Sequence, residues 1–456
     1  MDSATSTAAL SSSGQTPSDQ TPLRIALIGV GTVGSGVARL LDEQADRIAR
    51  RSGRPLQITR AVVRDPSKAR DHLPGVTLST DPIEAATADD IDLVCELIGG
   101  VTTAREVILA ALRAGKHVVT ANKALVCEHG PELDAAAHEH GVSLSFEAAV
   151  AGGIPVISTI ASSLTANQIE GIAAILNGTS NYILTEMLAR GQSYDDALAE
   201  AQRLGYAEAD PTFDVDGTDA AQKLSILGQL AFGTRATPDQ FTRAGIDRLT
   251  LPDLEYAAEL GFKIKLLATA RLSSTGPAGR LAMSVQPTLV RDSRPLAQVD
   301  GAFNVVEVTG DAVGRVMLTG PGAGQMPTAS AVVADLIDVA SGRAGETFKR
   351  LELRTDAREL LPPSEVRQRY YLRLTVPDRP SVLAGIARRL GDERISIASV
   401  IQHEGDGTGD AANDESGDDA SEATVPLIVM THAASRDAID RALDGVDCVC
   451  LPVAAD

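Results

Sequence analysis

The 456-residue sequence predicts an α/β protein with a doubly wound parallel-sheet domain, a central mixed α/β domain and a smaller C-terminal α/β unit. Three observations predict it. Short apolar runs alternate with helical patterns from residue 23 to about 150, the pattern of strands joined by helical crossovers. The first run ends in a glycine turn that opens directly into a helix. A polar stretch at 354–369 containing Pro362-Pro363 then separates a second, shorter series of strands and helices from what precedes it.

The elements follow in order. Residues 1–22 are rich in Ser, Thr and Ala, with neither a cationic start nor an apolar core, and are expected to be a disordered leader rather than a secretory signal. RIALIGVGTVGSGVARLL (24–41) is strand, turn and helix, with Gly29, Gly31 and Gly34 spaced G-x-G-x-x-G. In that context the glycines let the backbone approach a pyrophosphate at a helix N-terminus, so Gly29, Gly31, Thr32, Val33 and Gly34 are candidate dinucleotide contacts of a Rossmann-type domain. The next strand leads into Arg64 and Lys68, where an enzyme preferring NAD usually carries an acid for the ribose hydroxyl. Two cations there suit a 2′-phosphate, hence NADP, with NAD the alternative.

IDLVCELIGG (91–100) is a third strand, and KHVVTANKALV (116–126) a fourth that ends at Lys123, on the side of a parallel sheet where ligands bind. The nucleotide-binding domain is expected over 23–150 and is completed by about 321–350, where PGAGQMPTASAVVADLIDVASG turns into a further helix. A substrate-binding and dimerisation domain is expected over 151–320, with strands at 280–290 and 304–310. After the linker, residues 370–456 read as strand, helix, strand, strand and helix, interrupted by the acidic loop 404–423. That loop has no basic residue and is read as solvated chain, not as a metal site.

Composition narrows the function. A net charge of −20 argues against nucleic acid or an anionic membrane surface as partner. No apolar run reaches the length of a membrane span. Four cysteines without metal-ligand spacing fit a reduced, cytoplasmic setting. Seven lysines stand against 34 arginines, so a retained lysine is a candidate for chemistry that needs a titratable ammonium.

AEADPTFDVDGTDAAQKL (207–224) places Glu208, Asp210, Asp214, Asp216 and Asp219 ahead of Lys223. A strand is expected to carry Phe213 to Asp216, with Gly217 breaking it and Thr218 capping the helix that follows. Asp219 and Lys223, four apart, then share one helix face. An ordinary ion pair accounts for those two but not for the other acids, nor for Gly205 and Gly217. Acids around one lysine suit a substrate bearing an ammonium group, with the lysine able to give a proton to a carbonyl oxygen that is receiving hydride.

The stretch 201–223, together with NGTSNYIL (177–184), TANK (120–123) and the glycine loop in the same order, resembles the homoserine dehydrogenase family over about residues 24–350. The resemblance implies reversible NAD(P)H-dependent reduction of L-aspartate 4-semialdehyde to L-homoserine, in threonine, methionine and isoleucine biosynthesis. Carried over by position, it implies Lys223 as acid/base, Asp219 as its orienting and substrate-binding partner, and Glu208 as holder of the substrate amino group. Lys123 would lie between nicotinamide and substrate. Asp214, Thr179 and Tyr206 would border the substrate, and Gly205 and Gly324 the cofactor. A sodium-like cation would be held by main-chain oxygens of Glu147, Val150, Gly152 and Ile154, and the protein would be a homodimer or homotetramer. No kinase-like region precedes the glycine loop, so the monofunctional form is expected. An aspartate-semialdehyde dehydrogenase would instead need an activated cysteine, which neither Cys95 nor Cys127 resembles.

From about residue 370 the sequence resembles an ACT domain, a βαββαβ module, which implies feedback control by an amino acid, threonine in this family. Ser381 replaces the glycine usual after Asp-Arg-Pro, and the acidic loop interrupts the module. A module kept only for dimerisation is the alternative. For the whole chain the rivals are a non-catalytic amino-acid sensor, against which Lys123, Asp219 and Lys223 count, and a dehydrogenase of the same architecture for a different small aldehyde or keto acid.

Overall fold

The computed structural model describes residues 20–68, 71–273, 279–344, 358–402 and 424–455. The leader up to residue 19, the start of the linker and the acidic loop 404–423 lie outside them. The chain divides into two compact units.

The first comprises Met1–Leu125, His129–Ala148 and Gln325–Phe348. Its sheet contains β1 (Leu23–Ile28), β2 (Leu56–Val62), β3 (Thr77–Ser79), β4 (Leu93–Glu96), β5 (His117–Thr120) and β6 (Leu144–Ser145). All pairings are parallel and the order is β3-β2-β1-β4-β5-β6, the doubly wound arrangement. β1 and β4 are its two central strands and are mostly apolar because both faces are covered: Ile25, Leu27, Leu93 and Cys95 have no solvent exposure. The helix Gln325–Ala340 lies on the helix Thr32–Glu43 and puts Ala329, Val332 and Leu336 into the same core as Val37 and Leu41. A Cβ on Gly36 would come within 3.0 Å of the Ala329 methyl, so small residues set this helix spacing.

The second unit comprises Val126–Glu128, Ala149–Gly324 and Lys349–Asp456. Its 11-stranded sheet carries β7 (Ile169–Ile175), β8 (Thr242–Arg243), β9 (Phe262–Leu272), β10 (Leu281–Arg291), β11 (Phe303–Gly310), β12 (Gly314–Pro321), β13 (Arg367–Pro377), β14 (Ile397–Gln402), β15 (Thr424–Thr431), β16 (Ala434–Ser435) and β17 (Cys448–Val453). Along its main path the order is β12-β11-β7-β9-β10-β17-β13-β15-β14. The helices Gly178–Arg190, Thr218–Phe232 and Leu251–Glu259 pack against β9.

The C-terminal segment is a βαββαβ module whose strands lie in the order fourth, first, third, second, with Leu372, Leu374, Leu390, Leu427 and Ile439 as its core. The strand β17, beyond the last helix read from sequence, pairs with β13 on one side and meets β10 on the other at Leu289 and Val453. The module is tied down again by Arg373, whose guanidinium binds Asp253 at 2.5 and 3.1 Å. Asp253 is fully buried and also closes the capping box of the helix Leu251–Glu259 with Thr250.

Ser381, the residue in place of the usual glycine, precedes the helix Val382–Asp392 with φ +75°. A side chain in that left-handed region costs about 1–2 kcal/mol, part of which glycine loses again through its freer unfolded chain. Ser381→Gly is therefore expected to stabilise the module by about 0.5–1 kcal/mol. Urea unfolding of the two proteins checks this, and an unchanged or lower midpoint in the variant would contradict it.

Candidate active site

The glycine loop sits at the carboxyl end of β1, where strand order reverses toward β4. Close packing explains two of its glycines. A Cβ at Gly29 would meet the Leu97 carbonyl at 2.8 Å, and one at Gly34 would lie 2.1 Å from the Gly29 oxygen. Gly31, by contrast, is exposed and faces open space. It precedes the 12-residue helix Thr32–Glu43, whose first turn has no side-chain cap, leaving N–H groups for a pyrophosphate. Past β2, Arg64 is exposed and has no partner among the described residues; Lys68 stands 3.9 Å from Asp65. The loop fits a dinucleotide.

In the same unit Glu96 ends β4 with no exposure and accepts hydrogen bonds from the Thr120 hydroxyl and the Ile98 and Gly99 amides. Burial lifts its carboxyl above the ordinary range despite them. Lys123 opens the helix Lys123–Glu139, which Asn122 caps by accepting the Leu125 N–H at 3.2 Å while donating to the Gly100 carbonyl.

The second unit holds the remaining candidates. Lys223 and Asp219 lie one turn apart on the helix Thr218–Phe232, with Nζ and Oδ2 2.8 Å apart, and only 8% and 5% of the residues are exposed. Lys223 Nζ also donates to the Leu176 carbonyl at 2.8 Å. Two of the three ammonium N–H bonds are thereby directed to protein, and the third has no protein partner among the described residues.

Asn177 was not singled out from sequence, yet it organises the acids. Its amide donates to Asp214 Oδ1 at 2.8 Å and to Asp219 Oδ2 at 2.9 Å, while its oxygen caps the helix Gly178–Arg190 through Ser180 N–H. An asparagine ahead of Gly-Thr-Ser is a readable cap signal; its hold on residues 37 and 42 positions away is not.

Two local expectations are corrected. Thr212–Val215 is a short helix rather than a strand, and the residue before the next helix is Gly217. Thr218 is the first helical residue and its hydroxyl and N–H both bond to Asp216 at 2.8 Å, so it does not cap. The five acids also divide. Asp214 and Asp219 meet at Asn177, whereas Asp210 binds Thr212, and Asp216 binds Thr218 and Arg243. The Glu208 carboxylate is exposed and has no partner among the described residues. Thr179 donates to the Tyr206 carbonyl at 2.6 Å, and the half-exposed Tyr206 ring stacks on Tyr182 with centroids 4.9 Å apart. Gly205 is exposed just before it, and Gly324 ends the turn after β12.

No group of three or more His, Cys, Asp or Glu is arranged for a metal among the described residues. Of the main-chain cation candidates, Glu147 lies in the first unit and donates its N–H to Asp335 at 2.9 Å. Val150, Gly152 and Ile154 lie in the second, around a turn with Ala151 and Gly152 both at positive φ. The Ile154 carbonyl already accepts the Val156 N–H at 2.8 Å. Cys127 is lifted to about 11 by burial, and burial also raises the thiol of Cys95, so neither is an activated nucleophile. No helix among the described residues is long and apolar enough to cross a membrane.

Family models described as "Homoserine dehydrogenase, NAD binding domain" and "Homoserine dehydrogenase" match residues 29–147 and 155–337. A homoserine dehydrogenase of Pseudomonas aeruginosa is 44% identical over 433 residues, covering 93% of this chain and 95% of that protein. The crystal structure of a homoserine dehydrogenase from Thiobacillus denitrificans superposes with a TM-score of 0.85 at 44% identity, over 95% of this chain and 98% of the other. A hyperthermophilic archaeal homoserine dehydrogenase in complex with NADPH covers 70% of this chain and 98% of its own, with a TM-score of 0.59 and 28% identity.

Gly34→Ala would press a methyl against the Gly29 carbonyl and displace the loop. Its dissociation constant for the nicotinamide cofactor, measured by fluorescence titration, is expected to rise roughly tenfold or more. Unaltered affinity in a folded variant would remove the loop from the binding site.

Proposed function

The chain belongs to the homoserine dehydrogenase family, and from that premise we propose how its residues share the reaction. The activity is the nicotinamide-dependent interconversion of L-aspartate 4-semialdehyde and L-homoserine, an oxidoreduction at a CH–OH group in amino-acid biosynthesis. The bound nicotinamide supplies or takes the hydride.

Lys223 is the acid/base. The observation that carries this is the buried ammonium with two N–H bonds spent on Asp219 and Leu176 and a third left for the substrate oxygen. Negative charge grows on that oxygen as the aldehyde is reduced, and a fixed cation in a site poor in water stabilises it while the proton passes across. Asp219 orients the ammonium. Asp214, Asp219 and the exposed Glu208 carboxylate provide the negative surroundings that a substrate ammonium requires, with Thr179 and Tyr206 at the border of the site. Lys123 assists beside the nicotinamide, as the resemblance implies.

The cofactor is NADP(H) in preference to NAD(H). Arg64 and Lys68 support it through their charge and exposure, and the NADPH bound by the archaeal relative points the same way. Gly205 and Gly324 complete the cofactor contacts. A sodium-like cation on main-chain oxygens of Glu147, Val150, Gly152 and Ile154 is a structural element of the same reading. The βαββαβ module acts as an ACT domain that senses threonine, and the working enzyme is a cytoplasmic homodimer or homotetramer.

Lys223→Ala is expected to lower kcat for semialdehyde reduction by about a hundred- to ten-thousand-fold. Leaving Asp219 buried without its partner costs about 3–5 kcal/mol, so the assay is run where circular dichroism shows the variant folded. A folded variant that keeps its turnover would end the acid/base assignment. For the cofactor, Arg64→Ala is expected to raise KM for NADPH roughly tenfold and leave KM for NADH unchanged. Equal changes for both cofactors would refute recognition of the 2′-phosphate.

A further inference from the structure

We propose that Asn304 is a positioning residue for Lys223, acting through the Leu176 carbonyl. The inference deepens the reading of Lys223 as acid/base and rests on it. Asn304 is the second residue of β11 and is 1% exposed. Its Nδ2 donates to the Leu176 oxygen at 3.0 Å, the same oxygen that receives Lys223 Nζ at 2.8 Å. A carbonyl can only accept, so the amide nitrogen must be the end that faces it, which settles the orientation of the Asn304 amide. Both lone pairs of the Leu176 oxygen are then engaged.

The amide itself is held tightly. A Cβ on Gly322 would fall 2.1 Å from Asn304 Cγ, so the backbone of the turn leading to Gly324 packs directly on this side chain. The main-chain carbonyl of Asn304 accepts the Thr319 hydroxyl at 3.1 Å, which fixes the backbone from which the amide projects. Leu176 and Asn177 are thus gripped from two sides. Asn304 and Lys223 hold the carbonyl of one, and Asp214 and Asp219 hold the side chain of the other.

A purely space-filling role does not account for this residue. Asn304 Oδ1 is buried and has no hydrogen-bond partner among the described residues, a defect that an apolar side chain would avoid. What only the amide provides is the donor to Leu176. Without it the carbonyl has one ligand fewer, and the ammonium that depends on it can swing with the peptide. A misplacement of about 1 Å is enough to slow a reaction by roughly a hundredfold.

The test uses the full-length enzyme and steady-state rates in both directions across pH, for wild type, Asn304→Ala, Asn304→Asp and Lys223→Ala. The charged groups facing the Leu176–Asn177 peptide are Lys223, Asp219 and Asp214. Asn304→Ala is expected to lower kcat roughly tenfold or more, leave KM for both substrates nearly unchanged, and shift the pH profile of kcat. Asn304→Asp keeps the shape of the side chain, but its ionised carboxylate cannot donate to Leu176. Protonated, it can. Its kcat relative to wild type is therefore expected to climb as pH falls, a signature that a packing defect does not produce.

Wild-type kcat in both Asn304 variants would overturn the inference. So would a loss that follows the melting temperature, with an unshifted pH profile in Asn304→Ala and a pH-independent ratio in Asn304→Asp. If Asn304→Asp does not fold, the kcat and pH profile of Asn304→Ala decide alone. Lys223→Ala keeps the two readings apart: full turnover there defeats the acid/base assignment, whereas its loss alongside intact Asn304 variants defeats only the positioning role.

Discussion

A lysine and an aspartate buried together, 2.8 Å apart at one helix start, constrain the second unit around them. Two charges taken from water are stable only if their remaining donors and acceptors are satisfied. The Asn177 amide meets Asp219, the Leu176 carbonyl meets Lys223, and Asn304 meets Leu176 in turn. Leu176 and Asn177 follow one strand and Asn304 opens another, so the end of β7, the start of β11 and the helix Thr218–Phe232 must all be in place before the pair is paid for. The ammonium N–H left over is the one the proposed acid/base step would use.

The nucleotide-binding unit meets a different constraint, that of close approach. Its loop leaves no room for side chains at Gly29 and Gly34 because the Leu97 carbonyl and the loop's own backbone occupy the space, whereas the exposed Gly31 keeps the helix N-terminus open. The doubly wound order sets this loop at the reversal of the sheet, the place where such folds bind dinucleotides. At the far end of the chain, the βαββαβ module is joined to the larger sheet by β17 and by the buried Arg373–Asp253 pair. Asp253 also caps a helix that packs beside the helix begun by Asn177, so the module and Lys223 share one continuous body of structure.

Much of this was legible in the sequence. The parallel sheet could be read because each strand and crossover carries its own periodicity, and the glycine loop because strand, turn and helix are adjacent in the chain. Asp219 and Lys223 could be paired because helical spacing is a local rule. Phe213 to Asp216 reads as a strand, where the fold has the helix Thr212–Val215, because four residues carry too little periodicity to separate strand from helix. The five acids looked like one cluster, but Asp210 and Asp216 satisfy their own neighbouring turns, which residue type alone does not reveal.

The sequence by itself determined the fold class, the cofactor loop, the ion pair on its helix and the family. Tertiary structure alone decided that Asp214, rather than Asp210 or Asp216, joins Asp219 at Asn177, that Asn304 reaches Leu176 from 128 residues away, and that β17 merges the C-terminal module into the larger sheet. The division has a physical cause. Turns, helix faces and strand alternation arise from neighbours along the chain, whereas a hydrogen bond across the core depends on where two distant segments come to rest.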